Sequence, residues 1–255
     1  MPVHESSLPV PARILEVVHE ADQVKRFVLD ADVDAAPGQY VMAWLPGVDE
    51  RPFSLANSRP LTLTIAAVGP LTSRLHGLTV GDWIWWRGPL GRGFHLPKPM
   101  PDANVLLVGG GYGAGPLSFL AARAVEAGWQ VSSVIGARSE AQVVSRQALG
   151  DLSKGLWTCT EDGSCGERGL VTEVADRLLG KELAGKVQLV CGCGPHGMLD
   201  ALRELCLRHG LPCQLSYEAI IKCGLGICGS CAWNGLLVCR DGPVFEWSAS
   251  GQLLP

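Results

Sequence analysis

The chain has 255 residues, 47% hydrophobic and 18% charged, with 21 Lys and Arg against 25 Asp and Glu and a formal net charge of −4. The apolar content excludes a disordered chain, and the acidic balance argues against a nucleic-acid binder that uses a basic face. No apolar run reaches the roughly 18–20 residues of a membrane span, and residues 1–5 lack the basic start of a signal peptide. We therefore expect a soluble, cytoplasmic globular protein whose ten cysteines are thiols or metal ligands.

The first hundred residues predict a β domain. Short segments rich in β-branched and aromatic residues alternate with turn formers, at residues 13–18, 25–29, 40–44, 61–65 and 82–86. Strands at this spacing suggest a small closed barrel. A proline-rich segment from Pro97 to Pro101 then marks the end of a first domain, which we place at residues 1–99.

Strands and helices alternate from Asn104 onward. Residues 105–108 form a continuous apolar run, as expected for a strand buried on both faces, and a glycine cluster and a helical pattern follow. A later strand at 187–190 leads into a helix at 198–208, so we predict a parallel α/β sheet over residues 100–212. Residues 213–255 are cysteine-rich and too few to hold a core unaided, so we expect a third, small domain stabilised by a bound group.

The most specific motif lies in this last segment. Cys223, Cys228 and Cys231 have the C-x4-C-x2-C spacing of plant-type [2Fe–2S] ferredoxins, and Cys239 follows after seven more residues. The intervening glycines permit positive φ and let backbone N–H groups approach the sulfur atoms. A four-cysteine zinc site is the alternative, although its spacing more often begins with paired C-x2-C knuckles. The pattern favours an iron–sulfur cluster.

A second motif, Arg51-Pro52-Phe53-Ser54, lies near the end of a predicted barrel strand. An arginine can bind the pyrophosphate of a flavin cofactor, an aromatic ring can pack on the isoalloxazine, and a serine hydroxyl can reach its N5 region. Because Arg-Pro is also common in plain turns, the motif alone is weak. It favours a flavin site together with the strand opening Pro37-Gly38-Gln39-Tyr40 and the barrel end Gly88-Pro89-Leu90-Gly91.

Two turns of the α/β domain are candidates for binding a nicotinamide dinucleotide. The glycine cluster that contains Gly111 and Gly113 is a variant of the G-x-G-x-x-G fingerprint, whose amides can bind a pyrophosphate or only keep the turn tight. Cys193-Gly194-Pro195 follows a strand at the edge where ligands of open sheets bind, and its thiol either flanks a nicotinamide or is an ordinary buried cysteine. Arg138-Ser139 stands where an acidic residue would select NAD, so NAD and NADP both stay open.

The order of these motifs resembles the ferredoxin-reductase superfamily and, within it, the electron-transfer subunit of type B dihydroorotate dehydrogenase. The resemblance runs from about Arg13 to Phe245. Further segments that carry it are Glu161-Asp162-Gly163-Ser164, Gly169-Leu170-Val171-Thr172 and Asp241-Gly242-Pro243-Val244-Phe245. It implies an antiparallel flavin-binding barrel, a parallel α/β nucleotide-binding domain and a small C-terminal [2Fe–2S] domain.

The resemblance also implies a function. A separate FMN-containing catalytic subunit would oxidise dihydroorotate to orotate for pyrimidine biosynthesis. This chain, which has no catalytic acid–base set of its own, would pass the electrons through a [2Fe–2S] cluster and FAD to NAD+. The family assembly is a heterotetramer with two subunits of each kind. The matched positions give Cys223, Cys228, Cys231 and Cys239 as cluster ligands and extend the FAD site from Arg51, Pro52, Phe53 and Ser54 to Thr64, Ile65, Ala66, Leu71 and Thr72.

Some positions depart from the family pattern, and other functions stay open. The family often has a basic or aromatic pair in place of Ile65-Ala66 and Gly-Thr in place of Leu71-Thr72, which predicts looser FAD binding. Small subunits of NADH-dependent ferredoxin:NADP+ oxidoreductases and of sulfide dehydrogenases share the motif order and differ in their partner. From a different class, a non-redox scaffold would hold zinc in the four-cysteine site.

Overall fold

Antiparallel strands dominate residues 10–90. In the computed structural model, which describes residues 8–254, six strands close into a barrel in the order β1-β2-β5-β4-β3-β6. The elements are β1 (Val10–Ala21), β2 (Val24–Leu29), β3 (Tyr40–Leu45), β4 (Asp49–Ser58), β5 (Leu61–Ala66), α1 (Pro70–His76) and β6 (Trp83–Leu90). The predicted closed barrel is confirmed. Residues 51–54 lie in the middle of β4, so the motif stands within a strand and not near its end.

The second half of the chain alternates strands and helices. Its first elements are β7 (Asn104–Gly110), α2 (Leu117–Glu126), β8 (Gln130–Ala137), α3 (Arg146–Leu152), β9 (Gly155–Thr160), β10 (Glu167–Arg168), α4 (Val171–Gly180), β11 (Val187–Cys193), α5 (His196–His209) and β12 (Cys213–Ser216). The chain ends with β13 (Ala232–Trp233), β14 (Leu236–Leu237), α6 (Val238–Asp241), β15 (Val244–Trp247) and β16 (Leu253–Leu254). None of the helices within residues 8–254 is long and apolar enough to cross a membrane.

Eight strands of this half form one sheet, in the order β10-β9-β8-β7-β11-β12-β15-β16. The strands from β10 to β12 are parallel, whereas β15 and β16 run antiparallel to their neighbours. Side chains of β7 alternate between the two faces: Leu106 and Val108 pack in one core cluster with α4 and α5, and Val105 and Leu107 in another with α2. The continuous apolar run is therefore a central strand covered by helices on both sides.

The predicted boundary between the second and third domains, at residue 213, falls at the start of β12, which belongs to the sheet. The chain leaves the sheet only after β12 and returns to it at β15, so residues 217–243 form an excursion between two sheet strands. This excursion is too short for its own core and packs on the sheet: Trp233 stacks on Tyr217 at 4.7 Å between ring centroids and lies 5.0 Å from Phe245. The aromatic cluster joins this excursion, which contains the cysteine loop (residues 223–239), to the α/β domain.

Candidate cofactor sites

A cavity of about 610 Å³ lies where the barrel, the α/β domain and the segment after β12 meet. This volume is within the range of small-molecule and cofactor sites. The barrel supplies one wall through β4, β5 and the loop before α1, the glycine-rich turn after β7 supplies another, and residues 216–222 close the third side. The residues predicted from the sequence that line it are Arg51, Pro52, Phe53, Ser54, Thr64, Ala66, Leu71, Thr72, Gly113 and Cys193.

The other predicted residues do not line the cavity. The side chain of Ile65 is fully buried in the barrel core, because it points to the face of β5 opposite to Thr64 and Ala66. Gly111, Gly194 and Pro195 lie in the two turns next to the cavity and are absent from its lining. A side-chain contact between Ile65 and FAD is therefore not compatible with the register of this strand.

Arg51 supplies positive charge at the cavity. Its Nη2 lies 2.6 Å from Asp49 Oδ2, and its Nη1 donates to Asp49 Oδ1 and to the Glu50 carbonyl, each at 3.1 Å. The side chain remains half exposed, and a guanidinium with five N–H donors has hydrogens left for a phosphate. Asp49 thus orients Arg51 without using all of its donors.

Thr72 shapes the loop before α1. The backbone N–H groups of Val68 and Gly69 donate to Thr72 Oγ1 at 3.0 and 2.8 Å, and the hydroxyl donates to the Gly69 carbonyl at 2.9 Å. These bonds occupy the hydroxyl, which is buried. The structure thus gives Thr72 a role in holding this wall of the cavity, within the FAD site that the resemblance implied.

The glycine-rich turn is shaped by close packing. A Cβ on Gly113 would lie 2.8 Å from the backbone of Gly194, and a Cβ on Gly115 would lie 2.9 Å from Thr64 Cβ. Gly111 has a φ of +56° and no atom within 4 Å of its added Cβ. Two of the glycines therefore let the turn touch both the neighbouring turn and the barrel, whereas Gly111 leaves backbone open to a ligand.

Sequence reasoning missed one wall of the cavity. It consists of the segment after β12 with single residues from other turns, namely Ser216, Tyr217, Glu218, Ala219, Ile220, Ile221, Lys222, Tyr112 and Pro243. The signal that points to it is positional, because ligands bind at the carboxyl ends of parallel strands. The strand concerned, β12, has four residues, and its mixed sequence Cys-Gln-Leu-Ser does not show a strand pattern.

Two titratable side chains on this side of the cavity, Cys193 and Glu218, have raised pKa values. Burial, followed by the charge of Glu218, raises the pKa of the Cys193 thiol to about 12, although a hydrogen bond with Ser216 lowers it in part. Burial also raises the pKa of the Glu218 carboxyl, against the effect of His196. At neutral pH Cys193 is therefore a neutral thiol and no nucleophile. This side of the cavity is therefore better suited to binding and orienting the ring of a cofactor than to acid–base catalysis.

The cysteine loop wraps around its own sulfur atoms. Gly224, Gly226 and Gly229 have φ of +68°, +74° and +72°, the left-handed region that glycine adopts without strain. The N–H of Leu225 lies 3.4 Å from Cys223 Sγ, and the N–H of Cys239 lies 3.4 Å from Cys231 Sγ. Backbone donors aimed at sulfur are the outer-shell contacts that orient thiolate ligands and tune the metal.

The four cysteines lie as two pairs. Burial raises the pKa of Cys223, but the backbone N–H groups of its loop and the thiol of Cys228 lower it further, to about 6. Burial, followed by the thiol of Cys231, raises the pKa of Cys239 to about 12. Across residues 8–254 no set of three or more His, Cys, Asp or Glu forms a ready single-ion site. Two thiol pairs fit two irons with two cysteines each, as in a four-cysteine [2Fe–2S] cluster.

The cysteine loop has an apolar rim, defined here as Ile220, Leu225 and Ile227. Their exposed fractions are 74%, 49% and 78%, and Cys228 beside them is exposed as well. Large apolar side chains grouped in water favour contact with another protein. The loop therefore exposes one cysteine ligand directly after an exposed apolar side chain.

Comparison with known proteins gives matches over nearly the whole chain. A family model described as the iron-sulfur cluster binding domain of dihydroorotate dehydrogenase B matches residues 218–249. A Methanocaldococcus jannaschii protein named probable dihydroorotate dehydrogenase B (NAD(+)), electron transfer subunit, is 40% identical over 93% of this chain and 89% of its own length. A Methanopyrus kandleri protein with the same name is 41% identical over 93% and 90%.

A solved structure agrees with these relatives. The NADH-dependent reduced ferredoxin-NADP oxidoreductase, described in connection with flavin-based electron bifurcation, superposes with a TM-score of 0.82 at 29% identity, over 92% of this chain and 87% of that one. The predicted family and the predicted fold class are both confirmed. The chain belongs to the family of dihydroorotate dehydrogenase B electron transfer subunits.

Proposed function

We propose that this chain accepts electrons from an FMN-containing dihydroorotate dehydrogenase subunit and delivers them to NAD+, with FAD in the cavity and a [2Fe–2S] cluster on its four cysteines. The observation that carries the proposal is the presence of both sites in one chain. The cavity joins a flavin motif to a nucleotide-binding turn, and the cysteines lie as two pairs in a loop with inward N–H groups. Relatives named as electron transfer subunits give no support to the zinc scaffold.

The residues of the cavity have distinct tasks in this proposal. A bound flavin would supply the exchange between one-electron and two-electron chemistry. Arg51 would bind the pyrophosphate, while Phe53 and Tyr40 would form apolar walls that exclude water. Glu218 would place a carboxylate beside the nicotinamide ring, where it favours the cationic, oxidised form.

The apolar rim would be the docking face for the catalytic subunit. Its residue Ile227 directly precedes the exposed Cys228, so a partner seated there would contact the surface beside a cluster ligand. We propose that two chains of each kind assemble as a heterotetramer. All ten cysteines are free thiols in the structure, which supports the proposed location in the reducing cytoplasm.

A second candidate function uses the same two sites. The similarity to the NADH-dependent reduced ferredoxin-NADP oxidoreductase favours it. In that function, the resemblance implies that the chain serves a different partner, a large iron–sulfur flavoprotein. The two functions share the cavity and the cysteine loop in this chain. The identity of the partner therefore separates them.

The experiment is reconstitution with the FMN-containing catalytic subunit. We expect a stable complex that reduces NAD+ when dihydroorotate is added. Ile227→Glu places a charge in the apolar rim and should abolish both the complex and this activity, while NADH still reduces the flavin of the isolated chain. Val80→Glu changes another exposed apolar residue, in the loop between α1 and β6, and should have no effect. A complex that forms only with a large iron–sulfur flavoprotein would support the second candidate.

A further inference from the structure

Two side chains of the barrel hold the cysteine loop at its two ends. Arg87 on β6 donates from Nη2 to the Cys223 carbonyl at 2.9 Å. Tyr40 on β3 donates its hydroxyl to the Cys239 carbonyl at 3.0 Å. Both side chains are buried, with 7% and 2% of their surface exposed. The first and the last cysteine of the loop are therefore fixed to the barrel through buried hydrogen bonds.

Arg87 is also half of a bidentate ion pair. Its Nε lies 2.7 Å from Glu50 Oε1, and its Nη2 lies 2.8 Å from Glu50 Oε2. The carboxylate thus binds one edge of the guanidinium. Because the same Nη2 reaches the Cys223 carbonyl, the ion pair and the cysteine loop are joined through one nitrogen atom.

The remaining nitrogen of Arg87 faces the cysteine loop without a partner. Nη1 is buried and has no acceptor among residues 8–254, and a Cβ added to Gly224 would lie 3.6 Å from it. A buried donor without an acceptor is costly, so such atoms in folded proteins ordinarily have a partner. The thiolates and sulfides of a [2Fe–2S] cluster would supply acceptors on this side. The unpaired nitrogen is thus an observation that fits a cluster at this position.

The position of the charge has a consequence for reduction. Reduction adds one negative charge to a cluster, and a cation nearby stabilises the reduced form by Coulomb attraction, which is stronger away from water. Glu50 has the opposite effect because its carboxylate repels the added electron. Arg87 lies between Glu50 and the loop and is hydrogen-bonded to both, so the cation is the nearer of the two charges to Cys223.

We propose that the ion pair of buried Arg87 and partly buried Glu50 sets the reduction potential of the cluster, with Arg87 raising it and Glu50 lowering it. Neither residue is among the predicted ligands of the cluster or in the lining of the cavity. Both act through the charge that they place beside the cysteine loop. The inference rests on the proposed function in one respect, the presence of a [2Fe–2S] cluster on the four cysteines.

The test is an anaerobic redox titration of the full chain, in which electron paramagnetic resonance follows the reduced cluster. In Arg87→Met we expect the reduction equilibrium to shift about tenfold toward the oxidised form, which is 59 mV for a one-electron couple. In Glu50→Gln we expect a shift in the opposite direction. Arg123→Met removes an exposed arginine from α2 and should leave the equilibrium unchanged.

The outcomes separate the inference from the proposed function. Opposite shifts of the reduction potential in the two variants support the inference. A purely structural role would not give shifts of opposite sign when a positive charge is removed in one variant and a negative charge in the other. Equal potentials, or shifts of the same sign, would overturn it. If Arg87→Met does not assemble a cluster, the direction of the shift in Glu50→Gln decides. A wild-type chain that holds no cluster after anaerobic purification would instead contradict the proposed function.

Discussion

The cysteine loop and the cavity are built in opposite ways. All four proposed cluster ligands lie within residues 223–239, and the glycines between them set the backbone that surrounds the sulfur atoms. The cavity collects side chains from Tyr40 to Pro243, from both domains and from the excursion after β12. A site formed by one short segment can be seen in the spacing of its residues. A site formed by residues from several elements becomes visible only when the pairing of the strands is known. A change at a cysteine that contributes to neither the barrel nor the cavity should therefore leave the cavity intact.

The largest difference between the cysteine loop and the cavity is expected when a cluster ligand is removed. Cys228→Ala should abolish the cluster and leave the flavin bound, because Cys228 is exposed and contributes nothing to the barrel or the cavity wall. Iron content and the electron paramagnetic resonance signal of the reduced protein measure the loss. Cys165→Ala, a cysteine outside the loop, is the control and should retain a full complement of iron. Loss of flavin together with iron in Cys228→Ala would show that the two regions are not independent.

The next largest effect is expected at the glycine-rich turn. Gly113→Ala introduces a Cβ at 2.8 Å from the backbone of Gly194, so the two turns must separate, at a cost of roughly 1–3 kcal/mol. We expect NADH to reduce the flavin much more slowly in stopped-flow measurements, with the cluster unchanged. In the matched control, Gly197→Ala, the added Cβ meets nothing within 4 Å. Normal hydride transfer in Gly113→Ala would refute the packing argument.

A smaller effect is expected at the loop before α1. Thr72→Val keeps the shape of the side chain but leaves the N–H groups of Val68 and Gly69 without their acceptor. Losing these hydrogen bonds should loosen the loop that forms one wall of the cavity, so FAD affinity should fall about tenfold, as measured by equilibrium titration of the apoprotein. Thr72→Ser retains the hydroxyl and should bind FAD nearly as the wild type does. Equal affinity in the valine and serine variants would contradict the role given to this hydroxyl.

The smallest effect is expected at Glu218. Glu218→Gln removes the carboxylate next to Cys193, and we expect NAD+ affinity to fall about fivefold while NADH affinity changes little. The raised pKa of Glu218 predicts that the wild-type preference for NAD+ weakens as the pH falls, because the carboxyl becomes protonated at a higher pH than an ordinary glutamate. Calorimetric titrations with both nucleotides across this pH range measure the difference. Equal losses for NAD+ and NADH would argue for a steric role.

These differences explain how much of the molecule could be predicted. The cysteine spacing, the apolar run of β7 and the β-branched segments of the barrel carry their own patterns, so the fold class and the candidate ligands follow from the sequence. The orientation of Ile65 could not be predicted, because only the register of β5 shows that its side chain enters the barrel core. Glu218 was missed because nothing local marks it, and the parallel pairing of β12 with β11 brings its segment beside Cys193 at the cavity.

The central claim is that one chain holds a flavin and an iron–sulfur cluster in electronic contact with NADH. Its most direct test is the visible spectrum of the anaerobically purified protein before and after addition of NADH. We predict flavin bands on a broad iron–sulfur absorption, and NADH should bleach both. A protein that binds flavin and iron yet does not respond to NADH, or one whose flavin bleaches while its cluster stays oxidised, would contradict the account.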